Sequence, residues 1–135
     1  MRLPKVKKNS EFQGIFKNGK IWSNPVAVLY LVTGRDLTSR VGICVSKKLG
    51  RATVRNRIKR LLHEACRLQW PELRSGYDMI VLARRGVLEK TFAEVNGALE
   101  DLFRRARLHS QSAAPPSMRR PAGPPRPRRT SQARA

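Results

Sequence analysis

Lys47, Lys48, Arg51, Arg55, Arg57, Lys59 and Arg60 fall within fourteen consecutive residues, 47–60, with Asn56 among them and no acid. Their chemistry is that of phosphate binding. Ammonium and guanidinium groups neutralise an anionic backbone, and a guanidinium can bond two of its oxygens at once. The Asn56 amide both donates and accepts, so it can meet a base edge or a ribose hydroxyl where a cation cannot. No set of residues suited to catalysis accompanies them. There is no Ser/His/Asp set, no pair of carboxylates at an obvious spacing, and no metal-ligand cluster. Asp78 and Glu64 read as lone acids, one at a strand edge and the other a helix-surface partner for Arg60 or Lys59.

These cations form one surface only if a rigid element carries them, and the pattern predicts a helix over residues 53–69. Val54, Ile58, Leu61, Leu62 and Ala65 recur at i, i+4, i+7, i+8 and i+11, which is one apolar stripe. Asn56, Arg60, His63 and Arg67 lie opposite, with Arg57 and Lys59 on the flanks. One side of this helix belongs to a core, and the rest presents cations with an amide between them. Pro71 stops it.

The flanking segments alternate between helix and strand signals. Ser10 followed by Gln13 reads as a capping box that opens a short helix with Phe12, Ile15 and Phe16 on one face, closed at Gly19. Residues 26–33 and 40–46 read as strands separated by the turn Gly34-Arg35-Asp36. A further strand is expected over 78–84. The Thr91/Glu94 pair caps a final helix carrying Phe92, Val95, Leu99, Leu102, Phe103 and Ala106 on one side. A short additional strand over 20–23 is weakly signalled. Helices packed on a small sheet make an α+β domain. Residues 1–109 form that domain. Residues 110–135, rich in proline and arginine without acid or aromatic, cannot bury enough surface to offset their ordering entropy and are expected to be disordered.

The 29 basic residues oppose 9 acidic ones, a formal charge of +20 that implies a polyanionic partner, nucleic acid being the commonest. The tail does not explain it. Six arginines lie there, so 23 basic residues remain against 9 acidic ones, leaving +14 on residues 1–109. An anionic membrane is the other polyanion, but the basic helix has no Trp or Phe for interfacial insertion. Residues 1–10 are basic with no apolar stretch after them, and no apolar run approaches the ~20 residues of a membrane span, so a cytoplasmic chain is expected. Cys44 and Cys66 fit reduced, structural thiols. A groove-reading DNA binder would place a second helix closely before the basic one. A strand precedes it here, which counts against DNA.

Aromatic residues add a second chemistry. Phe12 and Phe16 are i and i+4 on a helix, and Val28 and Tyr30 share one strand face. Such pairs either fill a core or stack on unpaired bases, at about 1–3 kcal/mol per base.

The run Val45-Ser46-Lys47-Lys48 followed by Arg55-Asn56-Arg57-Ile58-Lys59-Arg60-Leu61 closely resembles the signature of the bacterial RNase P protein family. Phe12 and Phe16, Leu29-Tyr30 and Gly76-Tyr77-Asp78 match as well, and the resemblance covers residues 3–108. It implies a single two-layer α+β sandwich of order α-β-β-β-α-β-α, with the basic helix in a left-handed βαβ crossover. It implies two RNA surfaces. Lys47, Lys48, Arg51, Arg57, Lys59 and Arg60 would contact the catalytic RNA. Phe12, Phe16, Val28 and Tyr30 would line a cleft for the single-stranded 5′ leader of precursor tRNA, with Arg55 (grouped with the catalytic-RNA set) and Asn56 (grouped with the leader set) near the junction. His63 stands where the family often has a basic residue, and a neutral imidazole binds phosphate more weakly. By resemblance the partners are the catalytic RNA and precursor tRNA, without membrane or DNA. The cofactor is Mg²⁺ held by RNA, and the protein has no catalytic residues of its own. A ribosome-associated or other structural RNA-binding protein without a role in cleavage is the alternative.

Overall fold

The computed structural model describes residues 3–34 and 38–109. The tail 110–135 and the Arg35-Asp36 part of the expected turn lie outside the described residues. The elements run α1 (Asn9–Asn18), β1 (Lys20–Ser23), β2 (Ala27–Thr33), β3 (Arg40–Cys44), α2 (Ala52–Gln69), β4 (Tyr77–Ala83) and α3 (Phe92–Arg105). This is the expected α-β-β-β-α-β-α order, with the weakly signalled strand present as β1.

The sheet order is β1-β2-β4-β3. β2 pairs antiparallel with β1 and β4, placing Tyr30 opposite Ile80 and Val28 opposite Leu82. β3 runs parallel to β4, so α2 is the crossover of a βαβ unit. Because side chains alternate across a strand, β2 and β4 supply both faces. Leu29, Leu31, Met79 and Val81 point toward α2 and α3, whose Ile58, Leu62, Ala65, Val95, Leu99 and Phe103 are all fully buried. Burying side chains of this size stabilises by about 1.5–3 kcal/mol each. Val28, Tyr30, Ile80 and Leu82 point the other way, under Ile15, Phe12 and Phe16 of α1. The sheet with α2 and α3 forms the main sandwich, and α1 covers part of the opposite face.

Two local expectations change. α1 begins at Asn9, and Ser10 sits inside its first turn. The reaching carboxylate is Glu11, whose Oε1 accepts the Lys8 N–H at 3.2 Å. A glutamate suits this role better than Gln13, because its charge also complements the helix N-terminus. β3 ends at Cys44 because Ser46 turns the chain, its Oγ accepting the Lys48 N–H at 3.2 Å to cap a 3-10 turn over Lys47–Leu49. Thr91 and Glu94 form the expected reciprocal cap of α3, with bonds of 3.2 and 2.9 Å.

Candidate nucleic-acid interface

The basic segment is held as a rigid unit. Gly50 has φ 142, a conformation open to glycine, and it lets the turn enter α2 directly. Arg55 Nε donates to the Gly50 carbonyl at 3.2 Å and braces the turn against the helix. Arg57 Nη2 donates to the Lys90 carbonyl at 3.1 Å, tying α2 to the loop before α3. Lys47, Lys48, Arg51, Asn56, Arg57, Lys59 and Arg60 are exposed, and Arg55 is half-buried. The first turn of α2 contains no acid, so its free N–H groups add to the same positive field. Glu64 does not pair with Arg60 or Lys59. Arg67 bonds it twice, at 3.0 and 2.6 Å, and holds its carboxyl below the ordinary value. Helical side chains lean toward the N-terminus, so Arg67, one turn later, reaches back to Glu64. The cations of the exposed face are left free of it.

The aromatic set is arranged differently. Phe16 meets Tyr30 edge-on, with centroids 4.8 Å apart and planes at 85°. Tyr30 is 1% exposed and Val28 6%, whereas Phe12 and Phe16 are half-buried. Burial pushes the Tyr30 phenol well above its usual range. Tyr30 therefore offers no free face here; it is the floor on which Phe16 rests, because the β2–β4 register seats it between α1 and Ile80. Phe12 lies over Gly42 of β3, where a methyl would stand 2.6 Å from its ring. Glycine makes room for the aromatic.

A charged bridge fixes α1 above this floor. Arg40 bonds Asp78 through Nε at 3.2 Å and Nη2 at 2.8 Å, and Glu11 through Nη1 at 3.0 Å. Asp78 is thus no lone strand-edge acid. It is buried, opposite Arg40 in the β3–β4 register, and its desolvation is offset by the bidentate pair. The Lys8 N–H first and the Arg40 guanidinium second hold the Glu11 carboxyl below the ordinary range. Neither Arg40 nor Glu11 was singled out by sequence. Their positions are 29 residues apart, and local spacing carries no signal for the pair.

A groove of about 810 Å³ runs along the outer side of β3, between the N-terminal segment, α1, α2 and the start of α3. It brings Phe12 of the aromatic set together with Arg57, Lys59 and Arg60 of the cationic set. Phe16, Val28, Tyr30 and Asn56 do not line it. His63 does, along with Lys5, Leu61 and Phe92, none of which entered the expected site. Burial raises the Cys44 thiol to about 11 and raises Cys66 also, so both are poor nucleophiles near neutral pH. Among the described residues no helix is long and apolar enough to cross a membrane.

A family model described as Ribonuclease P matches residues 2–107. The ribonuclease P protein component of Clostridium kluyveri is 40% identical over 111 residues, covering 81% of this chain and 99% of the relative. That of Caldanaerobacter subterraneus is 39% identical over 82% of this chain and 95% of the relative. The RNase P protein of Staphylococcus aureus superposes with TM-score 0.73 at 34% identity, over 78% of this chain and 97% of that one. The Thermotoga maritima protein gives 0.69 at 30% identity, over 75% and 96%.

Proposed function

This chain belongs to the ribonuclease P protein family, whose role is tRNA processing, and on that premise we propose that it is the RNA-binding subunit of an endoribonuclease that removes the 5′ leader from precursor tRNA. The observation that carries the reading is α2. Its apolar stripe is sealed in the core while Asn56, Arg57, Lys59 and Arg60 stand exposed on one rigid face. A partner with regularly spaced phosphates fits that face, and catalytic RNA is the partner the family implies. Lys47, Lys48 and Arg51 extend the same field past the helix N-terminus.

The leader reading rests on α1. Phe16 and Phe12 are half-exposed on a supported floor, and an unpaired nucleotide offers a flat face to such rings. Tyr30 and Val28 serve by holding Phe16 in place. Asn56 supplies the amide for a base edge or ribose.

The protein's acids do not suit a metal site. Asp78 and Glu11 are engaged by Arg40, and Glu64 by Arg67. Among the described residues no three His, Cys, Asp or Glu side chains cluster as metal ligands would. The Mg²⁺ that supplies a hydroxide nucleophile for hydrolysis is accordingly assigned to RNA. The protein's part is to bind the leader and to screen repulsion between two RNAs, in the cytoplasm. The test is reconstitution: the purified chain should restore cleavage of precursor tRNA by RNase P RNA at low Mg²⁺. A chain that binds the RNA tightly without restoring cleavage would be a structural RNA-binding protein.

A further inference from the structure

The groove beside β3 combines two properties that neither expected surface has alone. Its floor is apolar: Ile43, Leu61 and Phe92 are half-buried side chains from a strand and two helices, converging with Phe12. Its rim is cationic, with Lys5 on one side and Arg60 on the other. Glu64, the acid in its lining, is held by Arg67, so its charge is answered before any ligand arrives. Among the described residues no ion pair engages Lys5, Lys59 or Arg60. A space of about 810 Å³ lies within the ~300–1,000 Å³ of small-ligand sites and holds a nucleotide comfortably.

We propose that this groove receives one unpaired nucleotide of the catalytic RNA, its base lying on Phe92 and Leu61 and its phosphate between Lys5 and Arg60. The inference rests on the RNA-binding function proposed above and goes further by adding a base-holding site to a helix otherwise suited to backbone contact. Charge complementarity selects an anionic occupant, and the apolar floor selects one with a flat, weakly solvated face. Paired RNA offers no such face, because its bases are stacked inside the duplex. The precursor leader is not the occupant. Phe16, Val28 and Tyr30 lie outside the groove, whereas Arg57, Lys59 and Arg60 of α2 border it.

The experiment compares wild type, Phe92→Leu and Leu61→Trp, each as full chain titrated with RNase P RNA over a range of salt. Phe92→Leu removes the stacking ring and keeps an apolar side chain; Leu61→Trp fills the space. Each should weaken RNA binding about fivefold without changing the slope of log K against log salt, since a stacked base releases no counterion. Chemical probing of the RNA should find an unpaired nucleotide protected by wild type and reactive with either variant. Thermal melting checks folding, and if Phe92→Leu melts early, Leu61→Trp decides. Unchanged affinity in the folded variants, or a loss carried by the salt slope, overturns the groove. Failure of wild type itself to bind the RNA would instead overturn the function on which the proposal rests.

Discussion

The exposed face of α2 and the cleft beneath α1 are both suited to RNA, but they are built on opposite plans. On α2 the functional groups are charged, exposed and set out by one helix, and they need only solvent and a buried stripe behind them. Beneath α1 the groups are aromatic, and a strand, a glycine and an ion bridge position them. Phe12 needs Gly42 under its ring, Phe16 needs Tyr30, and the helix needs Arg40. Charge can act at a distance in water, whereas stacking requires contact geometry. The second site therefore depends on the tertiary fold in a way the first does not.

Loss of the bridge should give the largest effect. Arg40→Gln leaves Asp78 buried with its charge unpartnered and frees Glu11. Breaking a buried pair from one side costs about 3–5 kcal/mol, and the partial exposure of Arg40, 25% of its side chain, lowers this to about 2–3. Chemical denaturation should register that loss. A difference below about 0.5 kcal/mol would mean that α1 is held by apolar packing alone.

Next in size, Arg60→Ala combined with Lys59→Ala should weaken catalytic-RNA binding roughly tenfold at moderate salt. The slope of log K against log salt should fall by about 0.7–0.9 for each phosphate that is no longer neutralised. Melting should be nearly unchanged, because both side chains are exposed. If stability fell with affinity, the contrast between an autonomous face and a fold-dependent cleft would collapse.

A smaller and more selective effect is expected from Phe16→Leu. It should lower the preference for precursor over mature tRNA by about 1 kcal/mol, near fivefold, with assembly on the catalytic RNA unaffected. Tyr30→Leu is the less clean change, since removing a ring buried to 1% opens a cavity. Equal weakening of both tRNA forms would remove the leader from this cleft.

The smallest effect concerns pH. Glu11 has its folded pKa held below the unfolded one, so its contribution is present above the ordinary carboxylate value of about 4.3. It disappears as pH falls through the depressed folded value. Glu11→Gln should therefore be less stable than wild type near neutrality, and the two should converge in strong acid. Parallel stability curves across the acid range would show that the Glu11 charge adds nothing to the bridge.

Local periodicity determined much of this protein. The 3.6-residue spacing of Val54, Ile58, Leu62 and Ala65 marked α2 to within a residue at its start and correctly at its end, because a helix's faces follow from its own residues. Thr91 and Glu94 marked the start of α3 for the same reason. Ser10 and Gln13 misled because Glu11, between them, was the better acceptor. Only the tertiary structure decided the rest. Arg40 and Asp78 are 38 residues apart and meet because parallel pairing of β3 with β4 sets them side by side. Tyr30 is a floor and not a face because β2 is central and α1 lies over it. The groove takes its walls from the N-terminal segment, α1, β3, α2 and α3, and no single stretch of chain contains its shape. Amphipathy is a property of neighbours in sequence, and it can be read there. Burial and pairing across a sheet depend on register and on which helix covers which face, and these exist only once the chain has folded.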